Sequence, residues 1–344
     1  MAKPQTRNRQ IEGLRAIAIL LVVIFHLFIQ YRNIYDTEFT RTAGVNISTL
    51  GVTIFLLISG YYISNVDISR GVFSAIKKRT ARLWPAYVFA ITLIFVLTRF
   101  LDLPGRTVSL GDYLLNVVFV NGYIKSPYVD GAHWYITTLL SATVISLIIR
   151  KTGRAKTGFL IWSSLVFSIV MLLPCIHNPI IGKVLSATLL FLGGKWVMLF
   201  VLGFWLYYAF NKNNVGRFEK ICPPLLTILY SSLCMKGNEI NMLVVILISI
   251  VLFYFALGYK LPFLDNPVIC SIGAASYSIY LLHQNIGFIL IREMCSICGA
   301  YQYWMSLVAV LIMIGVGCLA YQYVEKPLNS LIKSYMDRNN HPIN

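Results

Sequence analysis

Apolar runs about as long as a membrane is thick recur along the whole chain. Ten such windows occur, at residues 11–31, 47–66, 83–101, 133–149, 159–173, 188–210, 221–235, 240–258, 271–291 and 301–324. A helix needs about 20 mostly apolar residues to cross the hydrocarbon core of a bilayer, and it satisfies its own backbone groups there. The sequence therefore predicts an all-α, polytopic membrane helix bundle with about ten transmembrane helices.

The composition supports a membrane protein and indicates its orientation. Of the 344 residues, 58% are hydrophobic and 12% are charged, which is too apolar for a soluble domain. With a cytoplasmic N-terminus, the cytoplasmic segments hold 19 of the 29 Lys and Arg residues and the outside loops hold 8. Because basic residues collect in cytoplasmic loops, we expect both termini in the cytoplasm. The net charge of +16 is then explained without a nucleic-acid partner.

No internal repeat, linker or low-complexity run divides the chain. We therefore expect a single transmembrane domain over residues 1–335, a short cytoplasmic tail over residues 336–344 and no appended periplasmic domain. Cys295 and Cys298 form a CxxC pair, but no second pair of Cys or His residues stands at ligand spacing. We therefore expect no metal site.

The first apolar run carries two ionisable residues, Arg15 and His26. Eleven residues of α-helix turn through about 1100° and rise about 16.5 Å, so both side chains face the same side. Arg15 is then expected at one membrane edge and His26 about halfway across. Ionisable residues at such depths mark functional sites by default. The alternatives are an arginine that snorkels to the headgroups and a histidine that only packs between helices.

The ninth run places a second polar stripe within a span. Ser276, Tyr280 and His283, spaced four and three residues apart, share one helical face. This face either joins helices by hydrogen bonds or contributes to a site. All 13 Asp and Glu residues lie in loops or at span ends, so His26 and His283 are the candidates for proton transfer inside the membrane. Proton-coupled transport, which commonly uses intramembrane carboxylates, is disfavoured.

Three further features each allow two interpretations. Lys78, Arg79 and Arg82 follow the second run and suit either phosphate binding or ordinary cytoplasmic decoration. Trp134, at the start of the fourth run, is typical of an aromatic belt, with sugar stacking as the weaker alternative. Glu325 ends the last run, where we expect a helix cap or an ion-pair partner of the basic loops.

Five segments occur in a fixed order along the chain: IEGLRAIAILLVVIFH, FLLISGYYIS, KRTARLWP, SYSIYLLH and VEKP. Together they resemble the bacterial acyltransferase family 3 of integral-membrane acyltransferases, over about residues 11–331. The resemblance implies transfer of an acyl group, usually acetyl, from a cytoplasmic coenzyme A donor to a hydroxyl of a glycan. It also implies that Arg15 and His26 are essential and that Arg79 and Arg82 matter. Glu12 stands where the family usually has Asp.

On this basis we expect an O-acyltransferase of the bacterial inner membrane. The expected partners are acetyl-CoA or another acyl-CoA as donor, with its phosphates on the basic residues, a lipid-linked surface glycan such as an O-antigen sugar as acceptor, and membrane lipids. No permanently bound cofactor is expected. His26 is the expected general base or transient acyl carrier, with His283 and Tyr280 orienting it or binding the oxyanion. A transporter or flippase of a lipid-linked glycan or small solute is the alternative.

Overall fold

The computed structural model describes residues 8–36, 46–211, 216–234 and 241–338. Every regular element within these ranges is helical, and no strand occurs among them. The predicted all-α fold is therefore confirmed.

The described α-helices follow one another with short connections. In chain order they are α1 (Arg9–Ile24), α2 (Tyr31–Tyr35), α3 (Ser48–Ile63), α4 (Val72–Phe100), α5 (Leu110–Val117), α6 (Trp134–Lys151), α7 (Ala155–Leu172), α8 (Pro179–Phe191), α9 (Val197–Asn211), α10 (Arg217–Cys234), α11 (Met242–Leu257), α12 (Pro267–Ala274), α13 (Ser276–Cys298), α14 (Tyr303–Ala320) and α15 (Lys326–Arg338). Two π-helical segments interrupt this order, Phe25–Gln30 between α1 and α2 and Tyr321–Glu325 between α14 and α15.

Several helices have the length and composition of membrane spans. Within the described ranges, five continuous helical stretches qualify, namely Arg9–Tyr35, Val72–Phe100, Gly131–Lys151, Ala155–Cys175 and Tyr303–Met336. Shorter apolar helices, of 10 to 17 residues, include α3, α8, α9 and α11. The structure thus has the helices of a multi-pass membrane protein, while the count of ten and the orientation of the termini stay predictions.

Two predicted spans are broken in the structure. The sixth window, residues 188–210, is divided between α8 and α9, because Gly193 and Gly194 adopt positive φ angles of 96° and 69°. Such angles end a right-handed helix, and glycine adopts them without steric cost. The ninth window, residues 271–291, begins within α12 and continues in α13 after Ala275. Contiguous apolar sequence does not reveal these breaks.

The chain divides into two compact units. Unit 1 comprises Met1–Phe55, Leu97–Leu103 and Leu247–Asn344. Within it α1 packs against α12 and α13, and α13 packs against α14. Gly273 of α12 lies so close to the backbone carbonyl of Glu12 that a Cβ atom there would collide with it. This close approach places α1 beside the start of α13.

Unit 2 comprises Leu56–Val96 and Pro104–Ile246. Its core forms around α9, whose residues from Val197 to Leu206 are all buried. Phe159 of α7 and Phe204 of α9 stack face to face, with ring centroids 3.5 Å apart. Because every side of this part of α9 is covered, its uniformly apolar sequence matches its position.

Helix α5 runs back along α4 in unit 2. The Tyr113 hydroxyl lies 2.8 Å from Thr92 Oγ1 near one end of α5, and Trp84 Nε1 donates to the Val117 carbonyl at 2.9 Å at the other. The two helices are therefore antiparallel. His133, just before α6, then packs edge-on against Tyr87, with ring centroids 5.4 Å apart. Helix α6 thus begins beside the middle of α4, since Tyr87 stands near the midpoint of Val72–Phe100.

Candidate active site

Two contacts join the polar faces of α1 and α13 within unit 1. Arg15 Nη2 donates to Ser276 Oγ at 3.0 Å, and His283 Nε2 lies 3.3 Å from His26 Nδ1. Because both helices advance from the first contact to the second, α1 and α13 run in the same direction. The structure therefore brings together four residues that the sequence placed on two separate stripes.

The Arg15 end of the site contains a short polar cluster. Besides its bond to Ser276, Arg15 has Nη1 3.5 Å from Glu12 Oε1. Glu12 is 7% exposed and lies one turn before Arg15 on the same face of α1. A carboxylate and a hydroxyl therefore help to hold the guanidinium in one orientation.

His26 lies in the π-helical segment Phe25–Gln30. Its Nδ1 is 2.7 Å from the carbonyl oxygen of Val22, one turn earlier. In the same segment, the Leu27 carbonyl accepts a hydrogen bond from Ser306 Oγ of α14 at 2.6 Å. Single-turn π-helices leave backbone groups to be satisfied from outside and are frequent at functional sites. Ser306 supplies that partner here and anchors the turn that carries His26.

The hydrogen bonds of the two histidines define their tautomers. A carbonyl oxygen only accepts, so Nδ1 of His26, facing the Val22 carbonyl, carries a proton. Nδ1 of His283 lies 2.7 Å from the Tyr280 carbonyl and carries one as well. When both imidazoles are neutral, Nε2 of His283 is an acceptor that faces Nδ1–H of His26, and the lone pair of His26 is on Nε2.

Tyr280 and His283 both lie in the buried part of α13. The His283 side chain is 0% exposed and Tyr280 is 9% exposed. The two rings are tilted by 34°, with centroids 5.8 Å apart. Since His283 is bonded to the backbone of Tyr280 and to His26, it acts as a bridge between α13 and α1. This arrangement fits the predicted orienting role of His283; that role itself stays a proposal.

Glu325 lies in the second π-helical segment, Tyr321–Glu325. It is 6% exposed, and its Oε2 accepts a hydrogen bond from Ser278 Oγ at 2.6 Å. The structure thus gives Glu325 a partner at the buried start of α13. Its predicted role as a cap or an ion-pair partner of the basic loops stays a prediction. Ser278 lies two residues after Ser276, which bonds to Arg15. Glu325 is therefore joined to the Arg15 end of α13.

The predicted phosphate-binding residues lie on α4 in unit 2. Arg79 is half-buried and lies within electrostatic range of Arg82 and of Tyr135. Arg82 and Lys78 are exposed. Two arginines one turn apart with a phenol beside them can bind a phosphate through paired N–H donors. The donor-binding role of these residues stays a proposal.

Trp134 opens α6 in unit 2. Its ring lies 5.4 Å from that of Trp196, which follows the glycine break before α9. Its neighbour His133 is 1% exposed and packs on Tyr87. His133 is therefore enclosed within unit 2, while the aromatic-belt interpretation of Trp134 stays a prediction. Trp134 itself keeps a half-buried face beside Trp196.

A group of aromatic residues surrounds Arg32, beyond His26 on the same helical stretch. The Arg32 guanidinium lies 4.7 Å from the Tyr301 ring centroid and 4.9 Å from that of Tyr303. Arg32 Nε bonds to Asp36 at 3.0 Å and Nη1 donates to the Tyr303 hydroxyl at 2.6 Å. Six residues of helix separate Arg32 from His26, a rise of about 9 Å. No motif in the sequence predicts this cluster.

Two buried amides next to His283 were also missed. Gln284 and Asn285 are each 1% exposed on α13. The polar triplet HQN within an apolar run was the available signal. Among the described residues, no three His, Cys, Asp or Glu side chains are grouped closely enough to hold a metal ion.

The chain is similar to known proteins over most of its length. The model of the acyltransferase-3 family, described as an acyltransferase domain, matches residues 8–323. A protein of Komagataeibacter xylinus, provisionally named membrane-bound transacylase BcsY, is 30% identical over 94 residues. That match covers 26% of this chain and only 20% of the relative. No solved structure matches the chain.

Proposed function

The chain belongs to the acyltransferase-3 family of membrane proteins, and we propose that it moves an acyl group, most simply acetyl, from acyl-CoA to a hydroxyl of a surface glycan. The observation that carries this proposal is the pairing of His26 with His283. It leaves a neutral imidazole with its lone pair on Nε2 at the predicted centre of the membrane. A neutral imidazole in this state is a general base.

The donor enters from the Arg15 end. Arg15 is oriented by Glu12 and Ser276, and it binds a phosphate group of coenzyme A at the cytoplasmic edge. The rise from Arg15 to His26 is about 16.5 Å along an ideal helix, which is of the order of the reach of the pantetheine arm. The thioester then lies near His26. Within unit 2, Arg79, Arg82 and Lys78 are proposed as phosphate-binding residues on their own grounds, because paired arginine N–H groups suit phosphate oxygens.

The transfer needs no carboxylate inside the membrane. Nε2 of His26 removes the proton of the acceptor hydroxyl as its oxygen attacks the thioester carbonyl. The C–S bond then breaks, and the imidazolium returns that proton to the leaving thiolate, which gives the ester and free coenzyme A. The positive charge that forms on His26 is stabilised by two acceptors at Nδ1, the Val22 carbonyl and His283 Nε2. In hydrolase triads, an aspartate accepts the hydrogen bond from Nδ1–H of the catalytic histidine and has the same stabilising role.

The acceptor is proposed to enter from the opposite end, beside Arg32. Tyr303 and Trp304 expose 64% and 46% of their surface there. Aromatic faces next to a guanidinium offer stacking and hydrogen bonds to a sugar ring. A glycan linked to a lipid carrier in the bacterial inner membrane presents its sugars at this height. These features support a glycan acceptor, with the O-antigen type as the first candidate.

Mass spectrometry of surface glycans tests the proposal. Cells with the gene should carry glycans heavier by one acetyl group per modified sugar than cells without it. The shift should vanish with His26→Ala and persist with His177→Ala, since His177 is an exposed loop residue. The proposal would be contradicted if the inserted protein were present and the glycans gained neither acetyl nor any other acyl group.

A further inference from the structure

Gln284, the residue after His283 in the sequence, has an unmet hydrogen-bonding requirement. It follows His283 on α13, and its side chain is 1% exposed. The side-chain oxygen Oε1 is buried and accepts no hydrogen bond from any residue that the structure describes. A buried carbonyl without a partner lowers stability, and the cost is greater at membrane depth, where water is scarce. Such a group is explained by a functional role or by a bound water, ion or ligand.

The position of Gln284 limits which ligand this is. Helical side chains incline toward the helix N-terminus, so the Gln284 amide leans back toward Ser276, where α13 contacts Arg15. Gln284 follows His283 by one residue, about 100° around the helix. It therefore lies beside the face that carries Ser276 and His283, at a height between the Arg15 contact and the His26 contact. On the proposed function, this is the stretch along which the pantetheine arm of the donor runs.

The chemistry of the atom selects one group on that arm. A carbonyl oxygen accepts from an N–H or O–H group only. The acyl thioester has neither, but the arm contains two secondary amides, and one of them is separated from the sulfur by two methylene groups. We infer that Gln284 Oε1 accepts a hydrogen bond from this amide N–H and so holds the thioester carbonyl opposite His26. The inference rests on the proposed function, because it requires coenzyme A as the donor.

A combined change in protein and ligand tests this contact. Coenzyme A and an analogue with an ester oxygen in place of that amide N–H are titrated against the full chain in lipid nanodiscs. Wild type should bind coenzyme A about 10-fold more tightly than the analogue, the loss expected for one buried hydrogen bond. Gln284→Met, which keeps the length of the side chain but has no carbonyl, should bind both ligands equally and as weakly as wild type binds the analogue.

The thermal stability of Gln284→Met without coenzyme A is an independent measurement. Gln284→Met removes a buried carbonyl without a described partner, so its thermal stability should equal or exceed that of wild type; Gln284→Leu provides a second apolar variant. Asn116 is the matched control, because this buried amide bonds to the Asp112 and Pro127 carbonyls at 2.8 Å each. Asn116→Leu should therefore lose stability.

The outcomes separate the two proposals. Equal affinity of wild type and Gln284→Met for coenzyme A, or the same preference for coenzyme A over the analogue in both proteins, would overturn the role of Gln284 and leave the proposed function intact. Failure of wild type to bind coenzyme A would overturn the donor assignment and the Gln284 contact with it.

Discussion

His283 Nε2 lies 3.3 Å from His26 Nδ1, and each histidine is also bonded through Nδ1 to a carbonyl of its own helix. When both imidazoles are neutral, these contacts place the His26 proton on Nδ1 and its lone pair on Nε2. In the proposed reaction, Nε2 of His26 is the basic nitrogen and His283 accepts from the opposite side of the ring.

Replacement of His26 by Gln should lower kcat by about 10²- to 10⁴-fold, the usual contribution of a general base. Glutamine retains polarity and approximate size, so the protein should still insert and keep its melting temperature. Initial rates of acetyl transfer from acetyl-CoA measure the effect. His177→Gln, in an exposed loop, serves as the control.

The same residue permits a test of the alternative role as an acyl carrier. Rapid quenching of the protein with radiolabelled acetyl-CoA, in the absence of acceptor, should give no covalent label if His26 is a general base. A stable acetyl-imidazole at His26 would instead identify a two-step transfer.

Replacement of His283 by Ala should lower kcat by about 10- to 100-fold, because a hydrogen bond to the charged imidazolium is lost. The KM for acyl-CoA should change little, since His283 is not placed on the donor. His283→Gln offers a carbonyl oxygen to Nδ1 of His26 and should recover part of kcat. Equal losses in both variants, or a loss confined to KM, would indicate that His283 only packs.

Replacement of Arg15 by Ala should raise the KM for acyl-CoA by about 10- to 100-fold, as expected for loss of a charged hydrogen bond to phosphate. Ser276→Ala should have a smaller effect in the same direction, because it removes one group that orients Arg15. Steady-state kinetics with acyl-CoA varied provide the measurement. Arg70→Ala, an exposed arginine, should leave KM unchanged.

Replacement of Glu325 by Ala should destabilise the protein by about 1–3 kcal/mol, because Ser278 would be left buried without this acceptor. Glu325→Gln keeps an acceptor oxygen and should be less destabilising. The melting temperatures of the two variants in detergent provide the comparison. Similar melting temperatures for Glu325→Ala and wild type would show that the Ser278 contact contributes little.

Asp112 lies at the start of α5, outside the predicted spans. We expect it to make the stability of α5 depend on pH. Hydrogen bonds from Ser109 and Ser126 lower the pKa of Asp112 below its ordinary value. The ionised form is thus favoured in the folded state, and its contribution is fully present above the ordinary carboxyl pKa of about 3.9. It is lost only as the pH falls through the lowered pKa.

Hydrogen exchange of residues 109–117 should therefore show constant protection from neutral pH down to about pH 5, and weaker protection below about pH 4. Asp112→Asn should show reduced protection that does not vary with pH over this range. The same acid-induced loss in both proteins would place its origin elsewhere.

Much of the architecture follows from local sequence. Apolar runs specify helices because a membrane helix satisfies its backbone alone, and the helical repeat places Arg15 and His26 on one face. The spacing of Ser276, Tyr280 and His283 specifies one face of α13 for the same reason. These inferences need only the period of a helix.

Other features depend on which helices are neighbours. His26 and His283 are 257 residues apart in sequence. They pair only because the helices that carry them are neighbours, and no local sequence pattern predicts which helices are neighbours. The π-helical turn at His26 depends on Ser306 of α14 as a partner for the Leu27 carbonyl. Glu325 illustrates the same limit, since its position at a span end does not reveal its bond to Ser278 of α13. The sequence by itself therefore determined the helices and their polar faces. Only the tertiary structure decided which polar groups meet, because long-range packing selects each partner.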